Sequence, residues 1–364
     1  MSETTMKKRN ANMELLRLIS MLMIIFLHAL GKSNLLVNLY AEPSLNGVIA
    51  WVLEAMSLCA VNVFILISGY FLIDSKFKLG RLVELICEMV FYSLGAFLIC
   101  ILLGVDIHEE IDIHFLLHTV FPVHMELYWF LSTYVLVYIM LPIIQAGVKN
   151  ISQKQFRIVL NLLLIYECGF KSFLPFRFEE DKMGYNLLWF ITVFLLGAYI
   201  KQYGARRLNK PCRGLILYFL NVALIIFESF VIGRVFIKHG RLGKLLHVTM
   251  DYNHLFVLLA ALGIFAAFLS MKPMKEKAGR VICALSPMAL GIYLAHENLS
   301  LRYNWQKWLG IYDTLDKPTP EFLGRLLLAV VIVFVCGLAI DWIRIQIFKL
   351  FKLLFGKIFK KNEA

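Results

Sequence analysis

The chain has 364 residues, of which 60% are AVILMFWYC and only 17% are charged, against roughly half apolar and a quarter charged in an ordinary soluble domain. With 29 Phe, 15 Tyr and 6 Trp but only 9 Pro, disorder is excluded as well. A formal net charge of +12 suits nucleic acid only if a basic face is open to solvent; in a lipid-facing chain it points to the positive-inside rule.

A membrane-spanning helix needs about 20 mostly apolar residues at 1.5 Å rise each. Runs of that kind fall at about 14–31, 48–73, 82–104, 126–147, 155–170, 185–203, 214–236, 252–271, 283–300 and 322–347. The basic residues cluster in alternate connections. Lys7, Lys8 and Arg9 precede the first run, Lys76, Lys78 and Arg81 follow the second, and Lys149, Lys154 and Arg157 follow the fourth. Further groups are Lys201, Arg206, Arg207, Lys210 and Arg213, then Lys272, Lys275, Lys277 and Arg280, then the tail from Arg344 to Lys361. Roughly two-thirds of the 37 Lys and Arg thus fall on one side, while 105–125 has none. The expectation is an all-α, polytopic membrane helix bundle of about ten transmembrane helices, N-in/C-in. It divides into a cytoplasmic N-terminus (1–13), a membrane domain (14–347) and a basic cytoplasmic tail (348–364) along the inner leaflet. Glu14 and Arg17 interrupt the first run, so it does not read as a cleaved signal peptide. The seven cysteines contain no CxxC pair and read as small buried apolar residues.

Ionisable groups at membrane depth are costly and mark candidate sites. The first run carries Glu14, Arg17 and His28. At about 100° and 1.5 Å per residue, Arg17 and His28 share one helix face within about 20° and lie roughly 16 Å apart. Glu14, three residues before Arg17, can pair with it. Arg17 could also snorkel to headgroups, and His28 could simply bond a neighbouring helix. Glu54, Asn62, Glu84, Glu88, Glu228, His296, Glu297 and Asp341 complete the polar set. Most have bland explanations, with Glu84 and Glu88 beside Arg81 and Asp341 three residues before Arg344. His296 falls in the same outer half as His28. His114 and His118, in a segment with His108, His124, Asp106, Glu109, Glu110 and Asp112, have a spacing that can chelate a metal. They read better as an acidic, neutral-histidine surface at the mouth of the bundle, and no metal is assigned.

The run Arg9-Asn10-Ala11-Asn12-Met13-Glu14-Leu15-Leu16-Arg17 through His28 resembles the signature of the acyltransferase 3 family of integral membrane acyltransferases, with a basic residue, ten intervening residues and a histidine. Ser68-Gly69-Tyr70-Phe71-Leu72, Tyr128-Trp129-Phe130-Leu131 with Leu141-Pro142, Trp189 through Gly197-Ala198-Tyr199-Ile200, and Gly291-Ile292-Tyr293-Leu294-Ala295-His296 resemble further segments of that family in order. The resemblance covers residues 9–346 and is to stand-alone members without an extracytoplasmic hydrolase-like domain.

It implies a multi-pass enzyme of a bacterial cytoplasmic membrane. Such an enzyme moves an acyl group, usually acetyl, from acyl-CoA as co-substrate to a hydroxyl of a surface polysaccharide or lipid-linked glycan. No tightly bound cofactor and no nucleic-acid partner are expected, and the oligomeric state is open. His28 would be general base or covalent acyl relay, and Arg17 and Glu14 join it in the catalytic set, Glu14 pairing with Arg17 to fix its orientation or helping to position the CoA end. Arg17, Lys76, Lys78 and Arg81 would meet the CoA phosphates; Lys78-Leu79-Gly80-Arg81 stands where many members have Arg-x-x-Arg, and a lysine lacks the bidentate fork. His296 would bind acceptor, polarise the acyl carbonyl or pack, while Tyr128 and Trp129 would stack on sugar or serve as interfacial belt residues. The competing expectations are a transporter or flippase of a lipid-linked glycan, against which stands the lack of an inverted repeat or matched broken helices, and a structural partner of a polysaccharide synthase.

Overall fold

The computed structural model describes residues 9–36, 44–174, 179–242, 245 and 248–359. Lys7, Lys8, Lys360 and Lys361, assigned to the inner side above, lie outside them. Among the described residues every regular element is helical.

Helix α1 (Ala11–Gly31) starts where the Asn10 side chain accepts from the backbone N–H groups of Asn12 and Met13, satisfying donors that a helix start leaves free. Helices α2 (Leu45–Ser57) and α3 (Ala60–Leu72) are parted only at Leu58 and Cys59. Helix α4 (Leu79–Leu103) stops on Gly104 at φ +62°, the left-handed cap that glycine adopts without a Cβ clash. Then come α5 (Ile113–Val120), α6 (Trp129–Asn150) and α7 (Gln153–Leu164), which passes through a π turn (Ile165–Gly169) into α8 (Phe170–Phe173). The rest are α9 (Leu187–Tyr203), α10 (Pro211–His239), α11 (Leu255–Leu269), α12 (Glu276–Leu285), α13 (Ala289–His296), α14 (Trp305–Trp308) and α15 (Thr319–Phe359).

Among the described residues eight helical runs are long and apolar enough to cross a membrane. They take in α1, α2 with α3, α4, α6, α10, α11, α12 with α13, and α15. The other two expected runs are present in shorter form. Residues 185–203 give α9, apolar but only 17 residues long, and 155–170 become α7, the π turn and α8. That segment carries buried Glu167 and Lys171; Lys171 is ion-paired to Asp251 at 2.8 Å. Its polar groups face protein, which removes it from the set of plain apolar spans. Helix α15 runs 41 residues without a break at 347.

Leu98, Leu102 and Leu103 on α4, Ile143 on α6, Phe227 on α10 and Leu328 on α15 are exposed, as befits a surface built for lipid. Small residues set the closest crossings. A Cβ on Gly69 of α3 would lie 2.0 Å from the Phe194 carbonyl oxygen of α9, and one on Gly197 2.4 Å from the Leu66 carbonyl oxygen. Both glycines belong to segments that carried the family resemblance.

Candidate active site

A cavity of about 660 Å³ opens within the bundle. The start of α1 and the first turn of α4 give it Arg9, Arg17 and Arg81, and the distal part of α15 gives it Arg344, Lys349 and Lys352. Farther along α1 it meets His28, Trp129, Tyr252 and Tyr293. Arg17 and His28 therefore line one space, as their shared helix face requires.

The cationic end is held by paired charges. Arg17 Nη1 lies 2.9 and 2.8 Å from the two Glu14 carboxylate oxygens, the pairing expected from their spacing. The Ser286 hydroxyl donates to the same carboxylate, and the Arg17 guanidinium sits 5.8 Å from the Phe71 ring. Arg344 is nearly buried. Asp341 accepts from its Nε at 2.9 Å and Nη2 at 3.0 Å, and from the Tyr92 hydroxyl at 2.8 Å. Glu88 meets Arg344 at 2.5 Å, so its partner is on α15 rather than Arg81. A Cβ on Gly291 would lie 2.1 Å from Asp341 Oδ1, so only glycine lets α13 approach this carboxylate.

Of the basic residues expected to meet phosphates, Arg17 and Arg81 line the cavity; Lys76 and Lys78 lie on the connection before α4 and do not. The Tyr138 hydroxyl contacts the Lys78 backbone N–H at 3.2 Å and its carbonyl at 3.3 Å, and the Arg81 guanidinium lies 6.0 Å from the Tyr138 ring.

At the other end His28 Nδ1 lies 2.9 Å from His296 Nε2 and 3.0 Å from Glu297 Oε2. His296 Nδ1 lies 2.6 Å from the Ile292 carbonyl oxygen, which only accepts. A neutral His296 therefore carries its proton on Nδ1 and presents a lone pair at Nε2. Facing two acceptors, His28 Nδ1 must be the donor, which leaves the lone pair of His28 on Nε2. Lys32 Nζ sits 2.6 Å from both Glu297 oxygens and balances that carboxylate. One ligand atom each from His28, His296 and Glu297 falls within 4.8 Å of the others, close enough for a metal. The Lys32 ammonium on both carboxylate oxygens argues against a dication there, and the nitrogen separation is that of a hydrogen bond.

His296 is 5% exposed and stands behind His28, outside the cavity wall. Tyr128 is fully buried; its hydroxyl donates to the Leu294 carbonyl at 3.2 Å and accepts from Asn298 at 3.0 Å. Trp129 does reach the cavity, stacked on Tyr252 at 5.8 Å with 17° between planes and 4.1 Å from the Tyr185 ring. Tyr252, Tyr293, Lys32 and Glu297 received no site role from the sequence, and Arg344, Lys349 and Lys352 were read only as inner-side basic residues. Lys32 follows His28 by four and Glu297 follows His296 directly, a spacing signal that was there to read.

His114 and His118 pack 4.4 Å apart between ring centres in a separate pocket of about 400 Å³, with Glu109, Glu110, Asp112, Glu126 and Arg302. Burial lowers the His118 pKa from its ordinary value, and His114 adds to that.

No curated protein and no solved structure matches the chain. The family model for the acyltransferase 3 domain, described as an acyltransferase domain, matches residues 10–341. That range holds the Glu14–Arg17 pair, Arg81, His28 with His296 and Glu297, and Asp341, while Arg9, Arg344, Lys349 and Lys352 lie just outside it. The chain belongs to the acyltransferase 3 family and is a membrane acyltransferase.

Proposed function

We propose that the protein transfers an acyl group, acetyl first among candidates, from acyl-CoA to a hydroxyl of a surface polysaccharide or lipid-linked glycan at a bacterial cytoplasmic membrane. The observation that carries this reading is a single cavity joining six basic side chains to a histidine whose Nε2 lone pair is fixed by its neighbours. With both termini inside, as the basic connections favour, Arg9, Arg17, Arg81, Arg344, Lys349 and Lys352 face the cytoplasm. Arginine forks suit phosphate oxygens, and the CoA polyphosphate would rest among them while the pantetheine arm follows α1 towards His28. The distance fits, since Arg17 and His28 are separated by roughly 16 Å of helix. Lys76 and Lys78 are available to the nucleotide only at the rim.

His28 Nε2 takes the proton of the acceptor hydroxyl as that oxygen attacks the thioester carbonyl. Glu297 and His296 hold the ring in the productive tautomer, and Glu14 keeps Arg17 extended towards the donor. Trp129, with Tyr252, offers an aromatic face for a sugar ring. In a covalent relay the same lone pair would attack the thioester itself. The flippase alternative has no observation in its favour.

The test is membranes containing the protein, incubated with acetyl-CoA labelled in the acetyl group and with surface glycan. Label in ester linkage to glycan is expected, with none from His28→Ala despite normal insertion. Transfer by His28→Ala at the wild-type rate would overturn the reading. Label trapped on the protein when glycan is withheld would mark the relay.

A further inference from the structure

Acyl transfer from a thioester passes through a tetrahedral species with negative charge on the former carbonyl oxygen. A donor fixed at that oxygen is commonly the largest aid a site supplies. The donors around His28 are mostly committed. His296 gives its one N–H to Ile292 and accepts from His28 with its other nitrogen. Lys32 is held by both Glu297 oxygens, and Tyr128 donates to Leu294. Tyr252 is hydrogen-bonded to Tyr185. Trp129 makes no ring contact with His28 among the described residues.

Tyr293 differs from all of these. It is 6% exposed, and its hydroxyl has no hydrogen-bond partner among the described residues. Its ring lines the cavity with its centre 6.4 Å from that of His28. Tyr128 packs against it edge-on at 6.0 Å and Phe130 at 6.4 Å, so the ring is fixed from two sides. A buried hydroxyl without a partner is destabilising. Here the ring that carries it lines the same cavity as His28.

We propose that the Tyr293 hydroxyl is the oxyanion donor of the acyl-transfer step. The inference rests on the acyl-CoA reading above. As the acceptor hydroxyl gives its proton to His28 Nε2, its oxygen bonds to the thioester carbon. The carbonyl π pair moves onto oxygen and receives the hydrogen bond from Tyr293 Oη. When the tetrahedral species collapses, the carbon–sulfur bond breaks and the leaving thiolate takes the proton from His28. Tyr293 keeps its own proton throughout.

Tyr293→Phe removes only the oxygen. Expected are a kcat lower by about 10²–10³, a KM for acetyl-CoA within about twofold of wild type, and a melting temperature unchanged or higher because an unpaired buried hydroxyl is gone. A packing role predicts the reverse pattern, with lost stability and normal turnover. A kcat within about twofold of wild type overturns the proposal. If Tyr293→Phe does not accumulate, 3,5-difluorotyrosine at the same position keeps ring and hydroxyl but alters donor strength. Its kcat must then move, and an identical kcat overturns the proposal. Wild-type protein that leaves acetyl-CoA and glycan untouched would instead bring down the functional reading, and the tyrosine with it.

Discussion

His28 Nδ1 faces two acceptors at once, and this shared donation is what defines the ring's reactive side. Arg17, Glu14 and His28 were legible in the sequence because one helix period relates them. Glu297 and Lys32 were harder, since their meaning comes from α1 meeting the end of α13, 268 positions away along the chain from His28 to His296. Glu297→Gln tests the orientation directly. Its amide N–H₂ can donate to His28 Nδ1 and so favour the unreactive tautomer, while Lys32 loses its counter-charge. Transfer is expected to fall by about two to four orders of magnitude with the protein still folded, the range that positioned proton transfer supplies. Normal turnover in a labelled-acetyl assay would show that His296 alone orients the ring.

Glycines in the family-like segments act at the level of helix crossings. Gly69 and Gly197 bring α3 and α9 into backbone contact, and Gly291 lets α13 sit on Asp341, which in turn fixes Arg344 at the cationic end. The sequence displayed these glycines as motif members without saying what they touch, because a crossing is a property of two elements. Gly291→Ala would force Asp341 aside, at a cost of about 1–3 kcal/mol, and should raise KM for acyl-CoA as Arg344 loses its support. Gly95→Ala on α4 is the control. Nothing lies within 4 Å of a Cβ there, and the change should be neutral or stabilising by up to about 1 kcal/mol. Thermal melts in detergent compare the two; equal behaviour would refute the crossing argument. The break of the fifth stretch into α7, a π turn and α8 has a related cause. Apolar counting could not see that Lys171 would find Asp251, which lies in a distant segment.

Taken whole, the apolar fraction of the chain is spent on a bundle of spanning helices, and the basic residues that composition offered as an orientation signal also furnish one mouth of its cavity. The long apolar runs foretold the all-helical bundle, while the use of α15 was invisible to them: Lys349 and Lys352 read as a tail on the leaflet, yet the unbroken helix carries them to the cavity. Replacing both with Gln should raise KM for acetyl-CoA by about three- to tenfold with little change in kcat, and the difference should shrink as salt rises. An unchanged KM at low ionic strength would return them to lipid binding. On this reading the nucleotide enters and leaves by the same opening, and the acyl group travels on in exchange for the proton of the acceptor hydroxyl, which leaves on the CoA thiol. No net charge then moves across the bilayer in a turnover. The enzyme would be blind to membrane voltage, and the direction of its chemistry would be driven by the cytoplasmic ratio of acyl-CoA to free CoA.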